Sequence, residues 1–129
     1  MKSKQTHILL VEDEKFIAHA YKDGLEGAGF QITIATDGLE AMAALRKGAP
    51  YNLVLLDLIM PNKSGFEVLE EMRADSALKK IPVLILSNLG QDSDIAQGKA
   101  LGAVDYLVKS NFSMKEVIAK VTLHCARQH

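Results

Sequence analysis

The chain has 129 residues, of which 48% are hydrophobic and 24% are charged, and its formal net charge is −1. These values suit one globular domain over residues 1–129, and they provide no basic footprint for a DNA or RNA partner. No apolar run approaches the length of a membrane span, the polar start lacks a signal-peptide stretch, and the single Cys125 fits a reducing compartment. We therefore expect a cytoplasmic protein with neither a nucleic-acid nor a membrane partner.

Five short apolar segments predict the strands of a sheet. Four of them are continuous apolar runs rather than alternating patterns, which indicates strands that are buried on both faces. The segment that comes second in the chain is weaker. In chain order they are residues 8–11, 31–35, 53–56, 83–86 and 106–108.

The segments between these runs have helical spacing. The first predicted helix has an apolar face formed by Ile17, Ala20, Tyr21, Gly24, Leu25 and Ala28. The last has one formed by Met114, Val117, Ile118, Val121 and Cys125. Strand and helix alternate five times, and parallel strands need right-handed crossovers, so the chain is predicted to be an α/β protein. We predict a doubly wound five-stranded parallel sheet in the flavodoxin-like order 2-1-3-4-5, with helices on both faces.

Polar residues stand where four of the predicted strands end. Glu12 and Asp13 follow the first strand, Asp57 the third, Ser87 ends the fourth, and Lys109 follows the fifth. In the predicted order these strands are neighbours, and ligands of such sheets bind beyond the carboxyl ends of the strands. We therefore expect these side chains to meet in one site.

The acidic residues of this site predict a metal ion. Clustered carboxylates raise one another's pKa, and a hard cation relieves the repulsion. Few protein oxygens and several waters suit Mg²⁺ better than Ca²⁺. Asp13 and Asp57 are assigned as direct ligands and Glu12 as a ligand through water. The alternative is that the acids only cap the first helix, and for Glu14 this alternative has equal weight.

Asp57 is the candidate nucleophile. A carboxylate at the end of an apolar strand can form an aspartyl phosphate, and phosphoryl transfer depends mostly on positioning and charge neutralisation. Mg²⁺ would supply one positive centre and Lys109 the other, and the hydroxyl of Ser87 would donate to a phosphoryl oxygen. The alternatives are a salt bridge of Lys109 with the acids, which we expect in addition, and an ordinary strand-end hydroxyl for Ser87.

Taken together, these motifs resemble the receiver domains of bacterial two-component response regulators. The resemblance covers essentially the whole chain, and its specificity comes from all the motifs occurring in order at the strand ends. They are Leu9-Leu10-Val11-Glu12-Asp13-Glu14, Asp57-Leu58-Ile59-Met60-Pro61 with Gly65, Ser87, and Asp105-Tyr106-Leu107-Val108-Lys109.

The resemblance implies a phosphorylation switch. A histidine kinase or a phosphotransfer protein would donate the phosphoryl group to Asp57, and the protein would later dephosphorylate itself. The backbone carbonyl of Ile59 would be the third protein ligand of Mg²⁺, and Ser87 and Tyr106 would move together. The face formed by the fourth helix, fifth strand and fifth helix would then bind a target protein or a second copy of the chain. Apolar Ile59 and Leu89 predict slow dephosphorylation.

Two residues depart from the family pattern. Ser110 stands where the family usually has a proline after the lysine, so a trans bond is expected between Lys109 and Ser110. Asn88 stands where a small residue is usual, and it is a candidate contact of the phosphoryl group. Histidines at positions 7, 19, 124 and 129 show no metal-binding spacing and are expected at the surface.

Three other functions are compatible with parts of the pattern. A flavodoxin shares the fold, but the acids after the first strand would repel a flavin phosphate. A haloacid-dehalogenase-type phosphatase usually has a second Asp where Ile59 stands. A receiver that only docks, without phosphorylation, is disfavoured by the complete set of site residues. Both a stand-alone receiver and a receiver cut from a longer protein fit the sequence.

Overall fold

The structure, a computed structural model, describes residues 5–126. Five strands alternate with five α-helices, and short 3₁₀ turns at Leu78–Lys80 and Lys109–Asn111 precede β4 and α5. The elements are β1 His7–Val11, α1 Lys15–Gly27, β2 Gln31–Ala35, α2 Gly38–Arg46, β3 Leu53–Leu56, α3 Gly65–Ala74, β4 Val83–Ser87, α4 Asp92–Ala100, β5 Asp105–Val108 and α5 Met114–Ala126.

All five strands form one parallel sheet in the order β2-β1-β3-β4-β5. The predicted fold class and strand order are therefore confirmed, and the weak second segment is a full edge strand. In the centre of the sheet Leu10 lies opposite Leu55, and towards the β5 edge Ile85 lies opposite Tyr106. Because β1 and β3 are neighbours, the residues after Val11 and Leu56 leave the sheet side by side.

The sheet separates two layers of core. Side chains such as Leu9, Val54 and Ile85 pack on one face with α2, α3 and α4. Their chain neighbours, such as Leu10, Leu55 and Leu84, pack on the other face with α1 and α5. Successive strand residues point to opposite faces, so a strand covered on both sides needs apolar residues at every position. This requirement explains the continuous apolar runs.

The two long helices differ in how well the sequence predicts their buried face. In α5, Val117, Val121 and Cys125 are buried as expected, and burial raises the pKa of the Cys125 thiol to about 11. In α1, the predicted face is partly wrong, because Ala20 and Ala28 are exposed while Ala18 is buried.

His124 is a second correction, because it was expected at the surface and is only 6% exposed. Its Nε2 lies 2.9 Å from Oδ2 of Asp105 at the start of β5, so this ion pair or hydrogen bond joins β5 to α5. His19 is exposed as expected, whereas His7 is half-buried and its ring lies against Tyr51. His129 lies outside the described residues.

Within residues 5–126, no helix has both the length and the apolar character that crossing a membrane requires. Every peptide bond in this range is trans, including the one between Lys109 and Ser110 that was expected to be trans.

Candidate functional site

The carboxyl ends of β1, β3, β4 and β5 surround an open cavity of about 290 Å³. The strand order brings these ends together, although the residues that follow them are far apart in the chain. The cavity is lined by Glu12, Asp13, Glu14, Ile17, Asp57, Ile59, Asn88 and Lys109.

Three carboxylates form the acidic side of the cavity. One oxygen from each of Glu12, Asp13 and Asp57 can be chosen so that all three lie within 4.8 Å of one another. Glu12 and Asp57 are only 2% and 6% exposed, whereas Asp13 is open to solvent. An all-oxygen donor set with one open side fits a hard divalent cation that keeps part of its water, as Mg²⁺ does.

Lys109 provides the positive charge of the cavity. It stands directly after β5, and its Nζ donates to Oδ2 of Asp57 at 3.2 Å and also to Oε1 of Glu12. Burial disfavours the ammonium ion, but its hydrogen bond to Glu12 and the negative charge of Asp57 outweigh burial and raise the pKa of Lys109. The lysine is therefore held charged between two acids.

Burial disfavours the charged form of Glu12 as it does that of Lys109, but for Glu12 the effect of burial prevails. Loss of solvent raises the pKa of the Glu12 carboxyl, although Lys109 and the backbone N–H of Glu14 both favour the carboxylate. The bond from Glu14 N to Oε2 of Glu12 is 3.1 Å long and fixes the side chain at the start of α1. The acids therefore hold more negative charge than one lysine neutralises, since Asp13 has no part in these contacts.

The loop after β3 presents Asp57 to the cavity. Its Oδ1 accepts the backbone N–H of Ile59 at 3.3 Å, and Ile59 itself lines the cavity with its side chain 55% exposed. Gly65 begins α3 directly against this loop, because a Cβ at this position would lie 2.3 Å from the carbonyl oxygen of Asp57. The missing side chain of Gly65 therefore allows α3 to pack against the backbone of the nucleophile candidate.

Comparison with known proteins adds a decisive observation to this geometry. The family model described as the response regulator receiver domain matches residues 8–122. The chain belongs to the response regulator receiver domain family. This membership confirms the resemblance read from the strand-end motifs, and it implies signalling through phosphorylation.

Curated relatives and solved structures agree with this membership. The DNA-binding dual master transcriptional regulator RpaA of Synechocystis sp. is 39% identical over 114 residues, which are 88% of this chain and 46% of RpaA. YkoG, an uncharacterized transcriptional regulatory protein of Bacillus subtilis, is 38% identical over 89% of this chain and 49% of its own length. The chain thus spans about half the length of the curated relatives it matches.

Two solved structures illustrate the similarity in fold. The receiver domain of the Francisella response regulator 1452 has a TM-score of 0.87 and 32% identity, and the match covers 97% of this chain and 100% of that one. The phosphorylated cyanobacterial phytochrome response regulator RcpA has a TM-score of 0.81 and 33% identity, over 92% of this chain and 89% of that one.

In this receiver the end of β4 differs from the expectation that the side chain of Ser87 faces the site. Ser87 is completely buried and does not line the cavity, and its Oγ accepts the backbone N–H of Leu89 at 3.3 Å. The next residue, Asn88, is exposed and lines the cavity. Side chains of successive residues in an extended chain point to opposite faces. At the end of β4, therefore, only one of the two neighbouring polar side chains faces the acids.

Tyr106 contacts the same short loop. Its ring is buried, its pKa is raised to about 12 chiefly by that burial, and its hydroxyl donates to the carbonyl of Leu89. Ser87 and Tyr106 therefore bind the N–H and the carbonyl of one residue, Leu89. Sequence reasoning paired Ser87 with Tyr106, but Leu89 as their shared backbone partner carries no sequence signal.

Proposed function

We propose that this receiver accepts a phosphoryl group on Asp57 from a histidine kinase or a phosphotransfer protein, in a reaction that requires Mg²⁺. The observation that carries the proposal is the buried carboxylate of Asp57, with Lys109 Nζ 3.2 Å from one of its oxygens and two further acids beside it. A carboxylate with only a structural role would need one cation as its partner. The three carboxylates of this cluster carry more negative charge than Lys109 alone neutralises. That excess suits a second, exchangeable cation.

The proposed ligands of Mg²⁺ are Asp13, Asp57, the backbone carbonyl of Ile59 and, through water, Glu12. The bound ion would supply positive charge close to the phosphoryl oxygens. Exposure of Asp13 leaves a path by which the ion and its waters enter the site.

The reaction itself is a direct transfer. A carboxylate oxygen of Asp57 forms a bond to phosphorus while the bond from phosphorus to the imidazole nitrogen of the donor breaks, and its electron pair stays on that nitrogen. Lys109 keeps its protons and pairs with a phosphoryl oxygen in place of a carboxylate oxygen. Dephosphorylation is the in-line attack of water on phosphorus, which releases inorganic phosphate and restores the carboxylate of Asp57.

Two hydrogen-bond donors are available on the β4 side. The amide of Asn88 already faces the cavity. The hydroxyl of Ser87 is buried and accepts the N–H of Leu89, and in this proposal it turns to a phosphoryl oxygen when the end of β4 shifts. Such a shift would pull on Leu89, and through the Leu89 carbonyl on the hydroxyl of Tyr106. We assign this backbone link as the route from Asp57 to the face formed by α4, β5 and α5.

The partner of that face is either a downstream target protein or a second copy of the chain in a phosphorylation-dependent dimer. Relatives such as RpaA and YkoG are named as transcriptional regulators and are about twice as long as this chain. RpaA is named as DNA-binding, so a module that acts on DNA is one candidate for the target of this face.

The test uses a small phosphodonor, so that the unidentified kinase is not needed. Incubation with acetyl phosphate and Mg²⁺, followed by intact-mass spectrometry, should show the addition of one phosphoryl group. Asp57→Asn should abolish the addition, whereas Asp23→Asn, at an exposed position of α1, should not change it. Equal phosphorylation of Asp57→Asn, or of the parent after Mg²⁺ is removed by a chelator, would refute the proposed reaction.

A further inference from the structure

The loop that leaves β3 packs on the core through Leu58 and Met60, but its tip beyond Met60 is exposed. This phosphoacceptor loop, residues 57–64, begins at Asp57 and contains Ile59, the proposed carbonyl ligand. At the tip, the side chains of Pro61 and Asn62 are both exposed. Within the loop, Lys63 N donates to the carbonyl of Pro61 at 2.8 Å. A bond between residues two apart closes a γ-turn centred on Asn62.

Asn62 is strained in this turn. Its φ of 68° lies in the left-handed region, and it is the only residue other than glycine in the described range with a positive φ. Asparagine tolerates this region better than most residues, but the conformation still needs support from its surroundings. That support comes from outside the loop.

The external support is a hydrogen bond to the start of α2. Asn62 Nδ2 donates to Oδ2 of Asp37 at 2.7 Å. Oδ1 of the same carboxylate accepts the backbone N–H of Glu40 at 2.8 Å, which makes Asp37 the N-cap of α2. One carboxylate therefore caps a helix with one oxygen and holds the loop with the other.

A close backbone approach accompanies this bond. Gly38, the first residue of α2, lies so near the loop that a Cβ would be 2.3 Å from the carbonyl oxygen of Lys63. The start of α2 and the tip of the loop therefore pack directly on each other. The contact belongs to neither the cavity nor the core, and the proposed transfer does not use its side chains.

We propose that Asp37 and Asn62 are positioning residues that hold the phosphoacceptor loop so that the carbonyl of Ile59 is placed to bind the divalent cation. The inference rests on the proposed function, since it assigns a support to one of the proposed ligands. Asp57 is fixed by β3 and Gly65 by α3, and the side chains of Leu58 and Met60 pack on the core. Ile59 lies between these two residues with an exposed side chain, three residues from Asn62. Without the tether, the turn at Asn62 relaxes and the carbonyl samples other directions.

Two substitutions remove the tether with little other change. Asn62→Gly deletes the amide but keeps a residue that adopts positive φ freely. Asp37→Ser keeps an N-cap of similar strength but deletes the second oxygen. We expect each to weaken Mg²⁺ binding about three- to tenfold, the range that the loss of one net hydrogen bond gives. In the double variant the loss should be no larger than in a single variant, because both act on one bond.

The measurement is a Mg²⁺ titration followed by the backbone amide NMR signals of residues 57–60. Kinetics with acetyl phosphate supply a second readout, in which the half-saturating Mg²⁺ concentration should rise while the limiting rate at saturating Mg²⁺ stays within about twofold. The control is Glu40→Ala, which removes the acceptor of the Thr36 N–H in the same turn of α2 without touching the loop. Its Mg²⁺ affinity should equal that of the parent.

The possible outcomes separate this inference from the proposed function. Mg²⁺ binding by the parent with unchanged affinity in Asn62→Gly and Asp37→Ser would overturn the positioning role alone. An equal loss in Glu40→Ala, or additive losses in the double variant, would also overturn it. Absence of Mg²⁺ binding by the parent would overturn the proposed function and this role with it.

Discussion

Two neighbouring helices on the same face of the sheet, α3 and α4, are held in very different ways. Helix α3 begins with a reciprocal capping box between Ser64 and Glu67 and buries four residues. In α4, the residue before the first turn, Gln91, makes no side-chain cap, and only Gly98 is buried. Elements with few buried contacts open or shift most readily. We infer that α3 fixes the C-terminal end of the phosphoacceptor loop and that α4 is the element able to move.

The attachment of α4 is also uneven along its length. Near its C-terminal end, Arg73 of α3 donates a hydrogen bond to the carbonyl of Ala100. At its N-terminal end, the loop from β4 contains Leu89, whose backbone binds Ser87 and Tyr106. The end of α4 that lies closer to the proposed phosphorylation site is therefore the end whose loop contacts both predicted switch residues.

The largest expected effect tests whether α3 is held firmly. Gly65→Ala would place a Cβ 2.3 Å from the Asp57 carbonyl and 2.7 Å from Leu58 Cα, and backbone cannot move aside as a flexible side chain can. We expect a loss of about 3 kcal/mol in the free energy of unfolding, at the upper end for overpacking. Urea denaturation measures it, and a loss below about 1 kcal/mol would show that α3 is free to shift.

The second prediction concerns the lifetime of the phosphoryl group. Ile59 lines the cavity, whereas Leu89 is half-buried, packs on the core and does not line it. Ile59 is therefore the better placed of the two apolar residues to restrict water. Ile59→Asn should speed the decay of the phosphorylated form at least about tenfold, since water positioning is worth up to roughly 10²–10⁴-fold.

Leu89→Gln is the matched variant for this measurement and should change the decay less than Ile59→Asn. Decay is followed by intact mass in Mg²⁺ buffer after the phosphodonor is removed. A parent that loses the phosphoryl group within seconds, or an Ile59→Asn variant with the parental rate, would contradict the gating role of Ile59.

The third prediction tests whether β5 is anchored on the side away from α4. Burial opposes the charge on Asp105, but the His124 hydrogen bond and the Tyr106 N–H prevail, and the pKa of Asp105 falls below its ordinary value of 3.8. A lowered pKa stabilises the fold fully above pH 3.8, and this stabilisation is lost as the pH falls through the lower folded-state pKa.

Asp105→Asn should therefore cost about 1 kcal/mol at neutral pH, which is typical of one lost hydrogen bond. The difference from the parent should shrink as the pH falls below about 4. Urea denaturation of both proteins at several pH values provides the test. A difference that grows as the pH falls below about 4 would contradict the assigned direction of the pKa shift.

The smallest expected effect on stability tests whether α4 is able to move. In Gly98→Ala the new Cβ would lie 2.6 Å from Ile85 Cδ1 and 3.1 Å from Tyr106 Cδ2, which are side-chain atoms rather than backbone. Alanine also gains about 1 kcal/mol of helix propensity over glycine. We expect a net change below about 1 kcal/mol, together with faster amide exchange in α4 because the helix moves outward. A loss as large as that of Gly65→Ala would show that α4 is held as firmly as α3.

Sequence reasoning succeeded where one local pattern decides the structure. Continuous apolar runs indicated buried strands, and the structure brings the polar residues after β1, β3 and β5 together at one edge of the sheet. It failed where two distant positions decide the structure together. His124 lies at helical spacing from Val117 and Val121, so its burial was readable, but its partner Asp105 belongs to another element. The bond between Asp37 and Asn62 spans 25 residues and has no local pattern.

The end of β4 shows a finer limit. Ser87 and Asn88 are both polar, and only the direction of each side chain at the strand end decides which one faces the cavity. That direction depends on the pairing of Ser87 with Val108 across β4 and β5, which a single sequence does not reveal.

The most direct test of the account identifies the phosphorylated residue itself. After treatment with acetyl phosphate and Mg²⁺, borohydride reduction converts an acyl phosphate to a stable alcohol, and peptide mapping locates it. We expect reduction at Asp57 alone, with Glu12 and Asp13 unmodified. Reduction at either of those residues, or at none, would contradict it.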